Sequence, residues 1–317
     1  SRGENKFLMR KVVISGATSM IGLALIDKCL KENVDILALV NKNSSRKGRI
    51  PKNKHIKVFE CDMAKVNEIN MREEFEENYE VFYHLAWAGT SHKGRQDTKI
   101  HLCNALYTLD IVDFAAKLGC KKFVGAGSQA EYGRKNIPLS GNTETNPEVP
   151  YGVAKLCAGQ MSRIRCEQLG LEHVWTRILS AYGPYDNENT IIPTLIKALL
   201  KNEHFSTTEG NQIWELIYSE DVANALFLIG KSGVNGKVYP IGTGEARPLK
   251  EFLEIVKNKI NSNIQLGYGE VPYGNRQIMH LEADISELTR DTGFMPRISF
   301  EEGIDRTIEY YKYRSDI

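Results

Sequence analysis

The chain has 317 residues, 41 basic against 40 acidic side chains, and 42% hydrophobic residues, a profile typical of a folded globular protein. The balanced charge, without a long run of one sign, excludes a broad nucleic-acid-binding surface and a charged stripe for membrane surfaces. Its apolar stretches are far shorter than the roughly 18 residues that a membrane span needs, so we expect neither nucleic-acid nor membrane partners.

Cysteine and histidine usage points to the redox compartment. The six cysteines form no C-x-x-C pair, and the seven histidines form no recognisable metal motif. We therefore expect a reduced, cytoplasmic protein without a metal. Residues 1–6 are polar and lack an apolar signal core, and we leave them out of the fold prediction.

Predicted strands and helices alternate through the first half of the chain. A β-rich run, Lys11–Ser15, stops at Gly16 and precedes helical apolar spacing over residues 21–30. Further strands are predicted at residues 35–40, 56–60, 81–85, 122–126 and 173–178, and helices at 100–117 and 151–169. This alternation predicts an α/β fold with a Rossmann-type, doubly wound parallel sheet.

The pattern changes near Tyr182 to shorter pieces punctuated by proline and glycine. We predict a helix at 191–202, a strand at 212–217, a helix at 220–229, and later helices near Leu249 and Phe300. These predict a smaller, mixed α/β C-terminal lobe. The expected domains are residues 7–180 with about 219–242, and residues 181–218 with 243–317, separated by a cleft.

The turn after the first strand has a glycine spacing suited to phosphate. Gly16 and Gly22 occupy the first and last positions of a G-x-x-G-x-x-G pattern, with Ser19 in the middle. A tight turn at a helix N-terminus offers unpaired amides to a pyrophosphate. The alternative is simple strand-to-helix punctuation.

The end of the second predicted strand bears on the choice of dinucleotide. Asp35 has the expected spacing for a ribose ligand, but it begins the strand and would lie at the wrong end of the sheet. The strand ends at Asn41, followed by the basic residues Lys42 and Arg46. A 2′-phosphate could pair with these cations, which favours NADP over NAD. A solvated basic loop is the alternative.

Tyr151 and Lys155 are four residues apart at the start of a predicted helix and so share a face. A nearby ammonium favours phenolate, which predicts a lowered pKa for Tyr151 and a usable acid/base. Ser128 ends a predicted strand at the sheet edge where ligands bind. A surface Tyr/Lys pair is the alternative.

Taken in order along Lys11 to Tyr311, these and further motifs resemble the extended short-chain dehydrogenase/reductases that act on nucleotide-sugars. The motifs are Gly16-x5-Gly22, Cys61-Asp62-Met63, His84-Leu85-Ala86, Asn104, Gly127-Ser128-x3-Tyr132-Gly133, Tyr151-x3-Lys155, Arg177 with Ala181-Tyr182-Gly183-Pro184, Ile217-Tyr218-Ser219-Glu220-Asp221-Val222 and Ala283-Asp284-Ile285.

The resemblance implies an NAD(P)-binding domain, a nucleotide-sugar substrate lobe and three sets of site residues. The implied catalytic residues are Ser128, Tyr151 and Lys155. The implied cofactor contacts are Gly16, Ser19, Met20, Ile21, Gly22, Asn41, Lys42, Arg46, Asp62, Met63, Leu85, Ala86, Asn104, Tyr151, Lys155 and Leu179. The implied substrate contacts are Trp87, Ser128, Gln129, Ser180, Ile192, Trp214 and Arg276.

Departures from the family pattern narrow the expected reaction. Family dehydratases have two carboxylates after the catalytic hydroxyl, where this chain has Gln129 and Ala130, so a 4,6-dehydratase is disfavoured. Trp214 replaces a phosphate-binding arginine, and it could stack on the ligand or pack in the core. Arg276 matches the family's other phosphate-binding arginine.

Several of the motif residues are expected to be structural. His84 is expected to be a hydrogen-bonded core histidine, and Arg177 to brace the sheet or a carboxylate. Glu131 is expected to point away from the site.

Two enzyme activities remain open. We expect an NADPH-dependent reductase of a nucleotide-linked 4-keto-6-deoxy sugar, resembling bacterial reductases of surface-polysaccharide pathways. The alternative is an NAD-dependent 4-epimerase, and a non-catalytic NADP sensor is a third hypothesis. The resemblance also implies a homodimer through the helices at 100–117 and 151–169.

Overall fold

A computed structural model describes residues 8–70, 78–91 and 93–314. Residues 1–6, which we left out of the prediction, lie outside this part, as do the outer ends of the two expected domains. The strands are β1 Lys11–Ser15, β2 Asp35–Val40, β3 Ile56–Glu60, β4 Val81–His84, β5 Lys122–Ser128, β6 Glu172–Ile178, β7 Ala181–Tyr182, β8 Ile213–Trp214, β9 Ile217–Tyr218, β10 Val238–Ile241 and β11 Arg247–Pro248. The α-helices are α1 Met20–Lys31, α2 Thr98–Lys117, α3 Pro150–Leu169, α4 Ile191–Leu200, α5 Ser219–Ser232, α6 Leu249–Ile260, α7 Ser286–Thr292 and α8 Phe300–Lys312.

Seven strands form one parallel sheet in the order β10-β6-β5-β4-β1-β2-β3. The order reverses between β1 and β4, where Ser15 is in register with His84. In such sheets, a ligand binds beyond the carboxyl ends of the strands at the point of reversal. The prediction of a Rossmann-type, doubly wound sheet is confirmed.

Each face of the sheet buries its own apolar cluster. On one face, Val12 and Ile14 pack with Leu25 of α1 and Leu226 of α5. On the other, alternate residues of the same strands pack with side chains of α2 and α3, such as Val112 and Ala158. Because both faces are covered, the central strands read as continuous apolar runs, which made them visible in the sequence.

The second half of the chain contributes to the sheet as well as forming its own core. β10 pairs with β6, and α5 packs against α1. A separate cluster joins α4, α6 and α8 through residues such as Leu195, Phe252 and Ile304. The boundaries of the two expected domains stay a prediction.

The strand predicted at 212–217 is wrong as one element, because it is interrupted at Glu215 and Leu216 between β8 and β9. Glu215 is fully buried, and its carboxylate accepts hydrogen bonds from the backbone of Ala283, at 2.5 Å, and of Thr243. These contacts satisfy the buried carboxylate at the interruption. Among the described residues, no helix has the length and apolar character to cross a membrane.

Candidate active site

A cleft of about 890 Å³ lies over the carboxyl ends of the sheet strands. It brings together most of the residues that the sequence predicts for the site. These are Gly16, Ser19, Met20, Ile21, Asn41, Arg46, Met63, Leu85, Ala86, Trp87, Ser128, Gln129, Tyr151, Lys155, Leu179, Ser180, Ile192 and Trp214. Five predicted residues do not line it, namely Gly22, Lys42, Asp62, Asn104 and Arg276.

The turn between β1 and α1 is built for close backbone approach. Gly16 has a φ of +68°, and a Cβ there would lie 2.7 Å from the backbone nitrogen of Ala86. A Cβ on Gly22 would overlap the Gly16 carbonyl. Ser19 caps α1, since its Oγ accepts from the Gly22 amide at 3.0 Å and donates to the Gly16 carbonyl at 2.8 Å.

These features fit the pyrophosphate of a dinucleotide. The turn keeps side chains away from the floor of the cleft, and the N-terminus of the twelve-residue helix α1 opens onto it. Ser19 occupies its position without blocking the approach, because its hydroxyl is held inside the turn. Gly22 acts from behind the cleft, by allowing α1 to pack on the turn.

The end of β2 presents neutral and basic groups to the cleft. Asn41 and Arg46 line it, and among the described residues no carboxylate is paired with Arg46. Lys42 is exposed and lies outside the cleft wall. Asp35 is at the opposite end of β2, where it contacts His55 Nδ1 at 2.7 Å. This confirms that Asp35 lies at the wrong end of the sheet to bind a ribose.

Helix α3 places Tyr151 and Lys155 on the cleft. Pro150 begins this helix, a position for which the fixed φ of proline is suited. Lys155 is only 5% exposed, and its Nζ donates to the Ala126 carbonyl at 2.6 Å. The same Nζ lies 4.0 Å from the centre of the Trp87 ring and 5.9 Å from that of Tyr151.

The prediction that Lys155 lowers the pKa of Tyr151 is wrong. Burial raises the pKa of Tyr151, with the Arg95 guanidinium and the Ser128 hydroxyl acting in the opposite direction. Burial also lowers the pKa of Lys155 to about 7. Lys155 has little effect on the phenol because its Nζ is directed towards Ala126 and Trp87.

A buried carboxylate fixes the segment that carries Ser128. Glu131 accepts from the Ser128 amide at 2.7 Å, from Arg177 Nε at 3.0 Å and from Trp175 Nε1 at 3.1 Å. The expectations that Glu131 points away from the site and that Arg177 braces a carboxylate are confirmed. Ser128 Oγ accepts from the Ala130 amide at 3.1 Å, and the Ser128 hydroxyl also bonds to the phenol of Tyr151, where it lowers the pKa.

Two further predicted residues support the site from behind. The side-chain amide of Asn104 bonds to both backbone groups of Ala88, at 3.0 and 2.8 Å, and thereby holds the segment after β4. His84 Nδ1 lies 2.7 Å from Ser15 Oγ, and burial lowers the pKa of His84 to about 3. His84 is therefore a neutral, hydrogen-bonded core residue, as expected.

The residues predicted for substrate divide between the cleft and its rim. Trp214 packs against apolar clusters of the second half of the chain and also lines the cleft, so packing in the core is confirmed and stacking on the ligand stays a prediction. The Oε1 atom of Gln129 is buried without a hydrogen-bond partner in the described structure. Arg276 lies outside the cleft wall, where its Nη1 donates to the Glu148 carbonyl at 2.7 Å.

Asp62 also lies beside the cleft. Its carboxylate accepts from the Ala64 amide at 3.0 Å and caps the short 3₁₀ helix Met63–Glu68. Its neighbours Cys61 and Met63 are the residues that reach the cleft wall.

Arg95 and Tyr185 are among the cleft residues that the sequence reasoning missed. The guanidinium carbon of Arg95 lies 5.0 Å from the centre of the Tyr151 ring, although the two residues are far apart in sequence. Tyr185 has a φ of +67° and lies between Arg49, at 5.0 Å, and Arg314, at 4.7 Å. The turn at Gly183-Pro184 marked the region of Tyr185, but no local pattern marks Arg95.

Comparison with known proteins identifies relatives along nearly the whole chain. CDP-abequose synthase of Salmonella muenchen is 27% identical over 304 residues, covering 94% of this chain and 97% of that protein. A putative UDP-glucose 4-epimerase of Methanocaldococcus jannaschii is 27% identical over 312 residues, covering 95% and 98%.

A solved structure supports the fold. The UDP-N-acetylglucosamine 4-epimerase of Methanobrevibacter ruminantium M1, in complex with UDP-N-acetylmuramic acid, matches with a TM-score of 0.86 and 23% identity, covering 96% of this chain and 99% of that one.

The sequence model of the NAD dependent epimerase/dehydratase family matches residues 12–242 of this chain. The match spans the glycine turn, Ser128, Tyr151, Lys155 and the return of the chain to the sheet at β10. The protein is an NAD(P)-dependent enzyme of nucleotide-sugars, and the chain belongs to the NAD dependent epimerase/dehydratase family.

Proposed function

We propose that the chain is an NADPH-dependent reductase of a nucleotide-linked 4-keto-6-deoxy sugar. The observation that carries this proposal is a single cleft that joins Ser128, Tyr151 and Lys155 to a dinucleotide turn whose neighbouring strand ends without a carboxylate. The predicted cofactor and substrate residues that line the cleft keep those roles as part of the proposal.

The protonation of the site suits a reduction. A bound NADPH supplies the hydride for C4 of the sugar. Tyr151 gives its phenolic proton to the 4-keto oxygen, and burial keeps that proton in place by raising the pKa of the phenol. Ser128, whose hydroxyl lies beside the Tyr151 phenol, donates to the same oxygen and holds the carbonyl in position.

The preference for NADPH rests on the end of β2. Asn41 and Arg46 face the cleft there, and a guanidinium pairs readily with a 2′-phosphate. A ribose 2′-hydroxyl would instead favour a carboxylate acceptor at this place.

The second candidate is an NAD-dependent 4-epimerase. Ser128, Tyr151 and Lys155 would serve both reactions. The putative UDP-glucose 4-epimerase of Methanocaldococcus jannaschii is, at 27% identity, as similar to this chain as the CDP-abequose synthase is. This candidate is the weaker one, because the chain has Asn41 where a carboxylate would bind the ribose 2′-hydroxyl of NAD. A non-catalytic NADP sensor is weaker still, because Ser128, Tyr151 and Lys155 are all present and share the cleft.

The experiment follows NADPH and NADH oxidation with a panel of nucleotide-linked 4-keto-6-deoxy sugars, in the protein and in Tyr151→Phe. Loss of the general acid lowers kcat/KM by about 10² to 10⁴-fold. Tyr313→Phe is the matched control, because Tyr313 is 81% exposed and does not line the cleft. Equal rates in Tyr151→Phe and the wild type would contradict the assigned role.

A homodimer through α2 and α3 is part of the proposal. These two helices pack together, and their outer surfaces leave large apolar side chains exposed. The exposed residues are Leu102, Leu106, Val153, Met161 and Ile164. An apolar surface of this kind marks an interaction site, and a second copy of the same helix pair would cover it. The cytoplasmic location stays a prediction.

A further inference from the structure

Tyr151 lies among groups from several elements. Its ring makes edge contacts with Trp87, at a centroid distance of 6.3 Å, and with His101 of α2, at 5.5 Å. Lys155 is one turn further along α3, and Arg95 covers the ring from the segment between β4 and α2. The Glu131 carboxylate acts in the opposite sense to the cations and raises the pKa of the phenol.

Of the two cations, Arg95 is the nearer to the phenol ring. Its guanidinium carbon is 5.0 Å from the ring centre, against 5.9 Å for Lys155 Nζ. Lys155 is also held elsewhere, between the Ala126 carbonyl and the Trp87 ring. Among the described residues, no carboxylate pairs with Arg95, so its charge is available to Tyr151.

The segment that carries Arg95 is anchored by His101. His101 Nε2 donates to the Gly94 carbonyl at 2.8 Å, while its Nδ1 accepts from Trp87 Nε1 at 3.0 Å. The backbones of Gly89 and Gly94 approach closely, because a Cβ on Gly94 would lie only 2.7 Å from the Gly89 carbonyl oxygen. The position of Arg95 over Tyr151 therefore follows from specific contacts.

We propose that Arg95 is a positioning residue for the proton transfer, whose permanent charge stabilises the phenolate of Tyr151. In the reduction proposed above, on which this inference rests, the Tyr151 O–H bond breaks and the sugar O4–H bond forms as hydride from NADPH reaches C4. The phenolate that remains is reprotonated from solvent. A cation within about 4–6 Å favours the charged form of such a group.

The two cations differ in how their charges depend on pH. A guanidinium is charged throughout the working pH range, whereas burial lowers the pKa of Lys155 to about 7. Above neutral pH, Lys155 loses its proton and Arg95 remains the positive charge beside the phenol. Arg95 thus takes over the effect on Tyr151 that the sequence assigned to Lys155.

The first test measures the phenol itself and needs no substrate. The full chain is labelled with 3-fluorotyrosine, which is more acidic than tyrosine, and titrated by ¹⁹F NMR. The signal of residue 151 is the one that Tyr151→Phe lacks. We expect Arg95→Gln to raise the apparent pKa of this phenol by about one unit, and Arg95→Lys to give an intermediate value.

Lys93→Gln is the matched control, because Lys93 is an exposed cation of the same segment that does not line the cleft. It should leave the titration unchanged. An Arg95→Gln protein that titrates like the wild type would overturn the proposal.

The second test compares kinetic constants on whichever sugar the wild type reduces. Because one unit of pKa corresponds to about tenfold in rate, we expect Arg95→Gln to lower kcat about tenfold with little change in KM. A raised KM together with an unchanged titration would place Arg95 on the substrate and overturn the proposal. A wild type that reduces no sugar would contradict the proposed function alone, since the titration still decides the role of Arg95.

Discussion

At the scale of single residues, the burial of Lys155 makes stability depend on pH. Its pKa in the folded chain is about 7, while an unfolded lysine titrates near about 10.4. Between these values the unfolded chain binds a proton that the folded chain has released, so stability rises with pH. Below pH 7 both states bind the proton, and the cost of burying the charged ammonium lowers the free energy of unfolding by its full amount.

We predict that Lys155→Met raises the free energy of unfolding, most strongly at neutral pH and below. The advantage shrinks by about 1.4 kcal/mol for each pH unit between the two pKa values. Urea unfolding of both proteins at about pH 6 and about pH 10 measures it. Lys93→Met, at an exposed lysine, should show no such change with pH. A constant difference for Lys155→Met would refute the effect.

The buried pair of Glu131 and Arg177 should matter more for stability than any surface pair. Glu131 is fully buried and Arg177 is 3% exposed, so removing one partner leaves an uncompensated charge. We predict that Glu131→Ala lowers the free energy of unfolding by about 3–5 kcal/mol. Asp27→Ala, which breaks the exposed pair with Lys31, should change it little. Similar losses in both variants would count against the structural role of Glu131.

At the scale of elements, α1 packs against the turn after β1 because residue 22 is a glycine and has no side chain. A Cβ on Gly22 would overlap the Gly16 carbonyl, whereas one on Gly48 meets nothing within 4 Å. We predict that Gly22→Ala weakens NADPH binding at least tenfold and lowers the melting temperature. Fluorescence titration and thermal unfolding measure the two effects. Gly48→Ala is the control, and an unchanged Kd in Gly22→Ala would argue against the turn as the pyrophosphate site.

The elements that the sequence predicted correctly carry local signals. β1 and β2 are continuous apolar runs, and α1 begins beside Ser19 with regular apolar spacing. The single strand predicted at 212–217 and the predicted effect of Lys155 on the pKa of Tyr151 were wrong, because both depend on contacts with distant segments, such as Ala283 and Ala126. Gly16, Asn41, Leu85 and Ser128 were found because each lies at or just after the carboxyl end of a strand of the same sheet, whereas Tyr151 and Lys155 were found from their four-residue spacing on a helix.

At the scale of the whole molecule, the exposed apolar surface of α2 and α3 predicts a dimer. Leu102 and Leu106 are 67% and 59% exposed, which is unfavourable unless a partner covers them. We predict a molar mass of twice the chain by light scattering, and a monomer for the double variant Leu102→Glu with Leu106→Glu. Val234→Glu, at an exposed valine outside these helices, should remain dimeric. A monomeric wild type would refute the proposal.

Deuterium labelling shows directly whether the protein transfers hydride from NADPH to C4 of the sugar. The protein is incubated with NADPH deuterated at nicotinamide C4, using each deuterated face in turn, and with nucleotide-linked 4-keto-6-deoxy sugars. Product is analysed by mass spectrometry and NMR. We predict that one of the two deuterated faces gives one deuterium at C4 of the sugar for each NADPH oxidised and the other gives none, and that Tyr151→Phe forms product about 10² to 10⁴-fold more slowly. Interconversion of ordinary nucleotide-sugars at C4, without deuterium uptake or NADPH oxidation, would contradict this prediction in favour of the epimerase.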